Sequence, residues 1–249
     1  MRYKAISAIT KSEVILFIRE PSAFFFTLIF PLLMMLLFGS IWGNDPFPDV
    51  EFGYVDFSVP AYMGMVMATS GIMALTVTIA TYREKGILKR FRATPVKPDS
   101  ILIGQLLSVL LVTIAGVLIL VFAGIILFDL KFWGNIFEFM FVFFLAAASI
   151  TAFGFIPASL VPTARSGVVT ANILYFPMLF LSGAALPHSM LPDFLQKMSQ
   201  VFPLTHAIKL MQEVWLGGGH FWDYPVHLSV LTGFIILGLI ISMKFFKWE

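Results

Sequence analysis

A strongly basic segment between two long uncharged runs is the feature that most limits the folds open to this chain. Residues 82–100 carry six of the 16 lysine and arginine residues. The flanking runs, 57–82 and 100–128, contain no Asp, Glu, Lys or Arg. Each run is long enough to cross the hydrocarbon core of a membrane as a helix, which takes about 20 residues. The pattern predicts two membrane-spanning helices joined by a cytoplasmic basic loop.

Composition extends this interpretation to the whole chain. Of 249 residues, 59% are hydrophobic and only 12% are charged, against about 25% charged in an ordinary soluble domain. A soluble fold of this size could not bury so much apolar surface, so lipid must be the solvent for most of the chain. The absence of cysteine excludes disulfides, Cys-bound zinc and thiol catalysis.

The apolar runs predict an all-α polytopic membrane protein with six transmembrane helices and no soluble domain. We expect one transmembrane domain to cover residues 1–249. The predicted spans are at about 23–42, 60–80, 101–128, 139–161, 167–186 and 226–243.

The distribution of charge sets the expected orientation. With both termini in the cytoplasm, 13 of the 16 basic residues lie in cytoplasmic segments, and Lys131, Lys197 and Lys209 lie outside. Nine of the 14 acidic residues fall on the outside. Because cytoplasmic loops are enriched in Lys and Arg, we expect a multi-pass protein of the cell (plasma) membrane with cytoplasmic N- and C-termini.

Short amphipathic segments flank the predicted spans. In residues 2–20 one face recurs at helical spacing, which indicates a helix along the inner membrane surface that Pro21 ends. The face carries Tyr3, Ile6, Ile9, Thr10, Val14 and Phe17. Between the fifth and sixth spans, two pieces too short to cross suggest interfacial or re-entrant helices on the outer side. Their apolar faces carry Phe194, Met198 and Val201 in the first piece, and Leu204, Ile208, Met211 and Trp215 in the second.

The basic loop itself has helical patterning. Lys85, Lys89 and Arg92 share one face, and Ile87, Leu88 and Phe91 form an apolar ridge beside it. Thr94–Pro95 is expected to end the helix. Two interpretations remain open from the residues alone: a surface that docks on a partner, or a juxtamembrane anchor whose cations contact anionic headgroups.

Polar residues inside the spans are candidates for a substrate path. They are Thr69, Thr76, Asn172, Tyr175 and Ser182. Packing between helices explains such hydroxyls equally well, and Asn172 is the least easily explained in that way. The predicted span cores contain no charged residue, which disfavours proton-coupled transport.

The sequence contains no motif for nucleotide binding or catalysis. The pattern G-x-x-x-x-G-K-[ST] is absent, so any ATP must be bound by another subunit. The four histidines lie at or near the outer face without carboxylate or cysteine partners at ligand spacing, which disfavours a metal site. No nucleophile, base and acid can be assembled, and we expect no nucleic-acid partner.

Two blocks carry a resemblance to a known family. Residues 84–90 (EKGILKR) followed by Ala93–Thr94–Pro95 resemble the loop after the second span of ABC-2 type membrane subunits, the permease halves of ABC exporters. Residues 176–212 are similar to the family's fifth-span region, with Ser182–Gly183, a later proline and a Pro-Leu-Thr-His run. The order and spacing of both blocks agree, and the resemblance covers essentially the whole chain.

The resemblance implies a role for each segment. The N-terminal helix resembles the elbow helix, residues 84–92 resemble the coupling helix that sits on a nucleotide-binding subunit, and residues 187–215 resemble outer re-entrant helices. The implied ATPase-coupling residues are Glu84, Lys85, Gly86, Leu88, Lys89, Arg90, Phe91, Arg92, Thr94 and Pro95. The implied outer-gate residues are Pro187, Pro203, His206 and Gln212.

The resemblance also implies how the subunit works. A P-loop ATPase subunit would bind ATP and magnesium, so that this chain needs no cofactor of its own and is not an enzyme. Paired with a second permease subunit, identical or different, it would move a hydrophobic or amphipathic substrate out of the cytoplasm by alternating access. A drug-like molecule, a lipid and a lipid-linked glycan all fit. The alternative is a channel or secondary carrier that works without ATP.

The absence of cysteine gives a direct test of orientation. A single cysteine at Lys89 should react with a membrane-impermeant maleimide only from the cytoplasmic side, because the basic loop is expected there. A single cysteine at Lys197, on the predicted outer side, is the matched control and should react only from outside. Labelling of Lys89→Cys in intact cells would contradict the orientation.

Overall fold

The structure, a computed structural model, describes residues 2–48, 50–92, 98–185 and 188–245. All regular elements in these ranges are helical. The longer ones are α1 (Arg2–Arg19), α2 (Pro21–Trp42), α3 (Tyr54–Glu84), α4 (Ile87–Arg92), α5 (Pro98–Phe128), α6 (Ile136–Leu160), α7 (Ala164–Leu181), α8 (Asp193–Ser199), α9 (Pro203–Trp215) and α10 (Pro225–Phe245). Single turns of 3₁₀ helix lie at His188–Met190 and Phe221–Asp223.

Six helices within the described ranges are long and apolar enough to cross a membrane, which confirms the predicted all-helical class and the number of spans. They are α2, α3, α5, α6, α7 and α10. The largest difference from the predicted bounds is in α3, which begins at Tyr54 and continues to Glu84. At 1.5 Å per residue its 31 residues reach about 46 Å, so both ends extend beyond the hydrocarbon core.

Helix α3 is the centre of the bundle. Of its most apolar stretch, 78% is buried inside the chain, against 17% for α10. Its buried surface combines methionines and small residues with larger aliphatic side chains, so that neighbouring helices pack on several sides. Examples are Met63, Met65, Ala68, Val66 and Ile72. An internal π-helical segment, Thr69–Ala74, interrupts the regular hydrogen bonding of α3 at mid-length.

A very close helix crossing joins α3 to α6 at two glycines. A Cβ atom on Gly154 would lie 1.8 Å from the carbonyl oxygen of Gly71, so that only glycine fits there. The Thr76 hydroxyl donates to the Gly154 carbonyl at 3.3 Å a little further along α3. Because lipid supplies no hydrophobic drive between helices, close backbone contact of this kind fixes their relative position.

We call the N-terminal end of α3 its outer end and the C-terminal end its inner end, after the orientation that the charge distribution predicts. A buried carboxylate ties the outer end to two loops. Asp56 is 2% exposed. Its Oδ1 accepts hydrogen bonds from Asn44 Nδ2 at 3.0 Å and from the Lys131 backbone N–H at 2.9 Å. Its Oδ2 accepts from the backbone N–H of Gly53 at 3.3 Å. The α2–α3 and α5–α6 loops are therefore held together at one end of the bundle.

The N-terminal helix α1 packs across the start of α5. A Cβ on Gly104 would lie 2.6 Å from Cγ2 of Ile9, and the Thr10 hydroxyl donates to the Gly104 carbonyl at 3.3 Å. The helical prediction for residues 2–20 agrees with this element, but the packed face differs in detail. Tyr3, which the periodicity placed on that face, is 87% exposed, whereas Glu13 is buried on it.

The two short helices between α7 and α10 differ in their surroundings. In α8 the predicted apolar face, with Phe194 and Met198, is exposed, as is Val201 just beyond it. In α9 the predicted face is buried: a Cβ on Gly64 of α3 would lie 2.7 Å from Ile208 Cγ1. Helix α9 is therefore an integral part of the bundle, and α8 lies on its surface.

The hydrogen bonds of Asp56 make a test of how the outer loops are held. Replacement by alanine leaves one buried and two partly buried donors without their acceptor, which should reduce the free energy of unfolding by about 2 kcal/mol. The measurement is the melting temperature of the purified protein in detergent. Asp45→Ala, at an exposed position of the same loop, is the matched control and should change it little. Equal shifts for the two variants would contradict a structural role for Asp56.

Candidate functional site

The basic segment begins with a sharp reversal at the inner end of α3. Helix α3 ends at Glu84, and Gly86 adopts φ +66°, a left-handed conformation that favours glycine. The Gly86 N–H donates to the Arg83 carbonyl at 3.0 Å, and its own carbonyl accepts from the Arg90 N–H at 3.2 Å. The turn thus ends α3 in the manner of a glycine C-cap and starts α4 at once.

Arg83 caps the C-terminus of the neighbouring helix α6. One guanidinium nitrogen, Nη1, donates to the carbonyl oxygens of Ala158, at 3.1 Å, and Val161. The other, Nη2, donates to the Ser159 carbonyl at 3.4 Å. These carbonyls belong to the last turn of α6, where they lack partners within their own helix and carry the negative end of its dipole. A cation at this position is therefore stabilised in two ways.

Glu84 binds the start of the next helix. Its Oε2 accepts a hydrogen bond at 2.6 Å from the backbone N–H of Ala164, the first residue of α7. An anion at a helix N-terminus is favoured by the dipole as well as by the free N–H. Arg83 and Glu84, which we call the inner clamp, thus join the inner end of α3 to both sides of the α6–α7 turn.

The remaining predicted coupling residues lie in or beside α4. Lys85, Lys89 and Arg90 are exposed, whereas Leu88 is 1% exposed and packs against the chain itself. Phe91 and Arg92 form the last residues of α4. Thr94 and Pro95 lie outside the described residues. This segment therefore exposes its cationic side chains and holds itself to the chain through the buried Leu88.

The predicted substrate-path residues of α3 meet partners inside the bundle. The hydroxyl oxygens of Thr69 and Tyr175 lie 3.0 Å apart, which links α3 to α7 directly. Thr69 Oγ1 also donates to the carbonyl of Met65 in its own helix. Thr76 binds the Gly154 carbonyl at the crossing with α6. These contacts are of the packing type that the sequence left as an alternative.

Asn172 and Ser182 lie on the α7 side of the same region. Ser182, just after α7, forms a 2.9 Å hydrogen bond with the hydroxyl of Thr205 in α9. Asn172 is different, since its Oδ1 atom is buried and finds no hydrogen-bond partner within the described part of the chain. An unpaired buried amide oxygen is unfavourable in an apolar surrounding, so this atom is available to a ligand or a second subunit.

The predicted outer-gate residues converge on α9. Pro203 occupies the first position of α9, where its missing N–H costs nothing. Gln212 Nε2 donates at 3.0 Å to the Phe57 carbonyl in the first turn of α3. A cavity of about 410 Å³ lies beside this contact, lined by Tyr62, Gln212 and His227 among others. Pro187 lies outside the described residues.

His206 completes the group through a pair of imidazoles. Its Nε2 lies 2.8 Å from the Gln200 carbonyl, so this nitrogen carries the proton, and its Nδ1 lies 2.8 Å from Nδ1 of His227. One proton is shared between the two Nδ1 atoms, which means that both rings cannot be charged without breaking the contact. Among the described residues, no group of three or more His, Asp or Glu is placed to hold a metal ion.

Sequence reasoning placed Arg83 with the basic loop and missed its internal role. The signal was the position of Arg83 directly before Glu84, at the end of an uncharged run. The pair offers a positive and a negative side chain, which suit the C-terminus of one helix and the N-terminus of the next. It also missed the contact of Glu13, whose carboxylate accepts from the Tyr82 hydroxyl at 2.6 Å. Burial raises the pKa of Glu13, and this hydrogen bond opposes the shift.

Comparison with known proteins matches the chain to one family. The family model described as ABC-2 type transporter covers residues 4–216. The "Probable multidrug ABC transporter permease YbhR" of Escherichia coli (strain K12) is 26% identical over 176 residues. The "Daunorubicin resistance ABC transporter permease protein DrrB1" of Streptomyces coeruleorubidus is 25% identical over 228 residues.

The two alignments cover different fractions of the two relatives. The alignment with YbhR takes in 70% of this chain but 46% of the relative, so the chain spans less than half the length of that protein. The alignment with DrrB1 takes in 87% of this chain and 77% of the relative.

The histidine pair predicts a pH dependence of stability. Burial lowers the pKa of His206, the Gln200 carbonyl opposes the shift, and the charge of Lys209 adds to it. Since the unfolded ring, with a pKa of about 6.5, binds its proton more readily, stability should be complete above that pH. It should fall as the pH drops below about 6.5 towards the folded pKa.

The measurement is the melting temperature in detergent between pH 8 and pH 5. His206→Asn should flatten the profile, because the ring that gains a proton on unfolding is gone. Thr205→Val is the control: it removes the adjacent hydrogen bonds to Ser182 and to the Ser199 carbonyl. It should lower the melting temperature by a similar amount at every pH. A profile for His206→Asn that is as steep as the wild type would refute the assignment.

Proposed function

Because the chain belongs to the ABC-2 type transporter family, we propose that it is the membrane-spanning permease subunit of an ATP-driven exporter. ATP and magnesium are bound by a separate P-loop ATPase subunit, since this chain carries no nucleotide-binding motif. Its substrate is a hydrophobic or amphipathic molecule: a drug-like compound, a lipid or a lipid-linked glycan. The relatives named for multidrug transport and daunorubicin resistance favour the first of these.

The inner clamp is the observation that carries this proposal. The segment that would dock on the ATPase, residues 84–92, begins with Glu84 of the clamp, and its Gly86 turn is hydrogen-bonded to the Arg83 carbonyl. Those two residues bind the end of α6 and the start of α7. A displacement of α4 is therefore passed to three spans at once, as a coupling element requires.

The exposed face of α4 supplies the docking surface. Lys85, Lys89 and Arg90 project from it, and they complement an acidic groove on a nucleotide-binding subunit. Leu88 anchors α4 to its own chain, so the helix moves with α3 and not independently of it. In this mechanism α1 acts as the elbow helix along the inner membrane surface, with both termini in the cytoplasm of a cell-membrane protein.

Alternating access would change the contact of α3 with α7. The Thr69–Tyr175 hydrogen bond and the neighbouring Asn172 Oδ1 lie on this seam. A hydrogen bond between transmembrane helices contributes only about 0.6 kcal/mol on average, so binding of ATP has ample free energy to break and remake it. With a second permease subunit, identical or different, this seam becomes the wall of the substrate path.

The outer end would close through α8 and α9 as re-entrant helices. The hydrogen bond from Gln212 to the first turn of α3 couples α9 to the same helix that carries the inner clamp. Movement of α3 along its axis would thus act on the cytoplasmic and the outer ends together. The alternative is a channel or secondary carrier that works without an ATPase. No feature of the described residues favours that alternative over the exporter.

Gly86 provides the sharpest test of coupling. Gly86→Pro removes the N–H that binds Arg83 and forces φ to about −65°, which costs about 3 kcal/mol or more at a position held at +66°. We expect transport to fall by about tenfold or more relative to ATP hydrolysis, since each 1.4 kcal/mol is a factor of ten. The measurement compares both rates in proteoliposomes that contain this chain and its ATPase.

The matched control is Gly86→Asn. Asparagine tolerates the left-handed conformation, and a Cβ at this position meets no atom within 4 Å. It should therefore retain coupling and normal insertion. An equal ratio of transport to ATP hydrolysis in the proline and asparagine variants would contradict the docking role of this segment. Transport that persists without ATP, or failure to form a complex with any ATPase, would favour the alternative function instead.

A further inference from the structure

A second cavity, unrelated to the predicted substrate path, opens at the inner end of the bundle. It has a volume of about 490 Å³ and lies among α1, the start of α2, α3 and the inner half of α5. Its lining extends from Lys85, just after the end of α3, back along that helix to Ser70, a rise of about 22 Å. The cavity thus reaches from the inner membrane surface into the hydrocarbon region, and its volume is that of a typical ligand site.

The inner part of this cavity has a built polar floor. Glu13 from α1, Tyr82 from α3 and Gln105 from α5 all line it. Gln105 is 3% exposed, and within the described residues its Nε2 atom makes no hydrogen bond of normal length, although its side chain lies close enough to the Glu13 carboxylate to favour the charged form of that group. A buried amide donor without an acceptor is unfavourable by itself, and a ligand oxygen at this point would satisfy it.

Among the described residues, charges of both signs line the cavity in equal number. Glu13 and Glu20 are acidic, and Arg19 and Lys85 are basic. An anionic ligand would meet two carboxylates and a cationic ligand would meet two basic groups, so neither is complemented throughout. A zwitterionic ligand is complemented throughout. Its phosphate can bind Arg19, Lys85 and the Gln105 amide, and its ammonium group can bind Glu13 and Glu20.

Away from the floor the cavity becomes apolar. Leu75 and Ala74 of α3 and Val109 and Val112 of α5 line its deeper part. The hydroxyls of Ser70 and Ser108 also line it, but both are hydrogen-bonded within the chain. This surface suits a hydrocarbon chain and offers little to a water-soluble molecule. Its position beside the inner membrane surface gives a lipid direct entry from the inner leaflet.

We propose that this cavity binds one glycerophospholipid with a zwitterionic, primary-amine headgroup, of which phosphatidylethanolamine is the simplest example. A primary ammonium has N–H donors for the two carboxylates, whereas the quaternary ammonium of phosphatidylcholine has none. Phosphatidylglycerol lacks the cation altogether. The bound lipid joins α1 to α3 and α5, since its headgroup contacts residues of all three helices.

The test is native mass spectrometry of the purified chain, equilibrated with equal amounts of phosphatidylethanolamine, phosphatidylcholine and phosphatidylglycerol. The expected result is a single retained phosphatidylethanolamine, held about tenfold more tightly than the other two lipids, as one lost charge-assisted hydrogen bond predicts. Glycerophosphoethanolamine, the headgroup without acyl chains, should not displace it. Displacement by that compound would overturn the lipid assignment in favour of a soluble ligand.

Two variants locate the site. Gln105→Leu replaces the buried amide by an apolar side chain of similar size and leaves Glu13 its hydrogen bond from Tyr82, so the variant should fold, and it should lower retention by about tenfold. Val112→Phe fills the apolar part of the cavity. If that variant is unstable, Ala74→Leu narrows the same space from α3.

The matched control is Leu111→Phe. Leu111 is 51% exposed on the outside of α5, next to Val112, which is 7% exposed. This control should retain the lipid, because it changes only the general lipid-facing surface. Unchanged retention in Gln105→Leu and Val112→Phe, or equal retention of all three lipids, would refute the site. The measurement needs no ATPase or substrate, so its outcome is independent of the proposed export function.

Discussion

The contact of Gly71 with Gly154 is the constraint on which the remaining structure depends. It brings the backbones of α3 and α6 so close that a single methyl group on Gly154 would overlap a carbonyl oxygen. In a bilayer, the apolar side chains of two helices gain little by leaving lipid for each other, so close backbone packing must hold the helices together. With this crossing fixed, α3 becomes the axis around which α5, α7 and α9 are arranged.

The ends of α3 show how one helix can connect both surfaces of a membrane protein. At the outer end, Asp56 binds two loops and Gln212 of α9 binds the first turn. At the inner end, Arg83 and Glu84 hold the α6–α7 turn through opposite helix-end charges. The polar groups at these ends are satisfied by protein, which lets a 31-residue helix be buried along most of its length.

A good part of this organisation could be predicted from the sequence, and the failures have a common cause. Uncharged runs of membrane length predicted six spans, because crossing lipid requires consecutive apolar residues. Helical periodicity predicted α1, α4, α8 and α9. It misjudged Tyr3 and did not identify the buried Glu13, because periodicity gives a face and not the depth at which a neighbouring helix covers it. The cytoplasmic orientation of the basic loop stays a prediction from charge.

The sequence predicted the roles of the candidate residues less completely than it predicted the fold. Thr69, Tyr175 and Ser182 were identified as polar groups in an apolar setting, and their chemistry alone could not tell a substrate contact from a helix contact. The partners were decided by which helices cross: Thr69 meets Tyr175, and Ser182 meets Thr205. Sequence by itself determined the solvent of this chain, its helical class and its family resemblance, since these depend on local composition, spacing and motif order. Only the tertiary structure decided that Arg83 and Glu84 bind helix ends and that Gln105 faces a cavity, because each depends on residues distant in the chain.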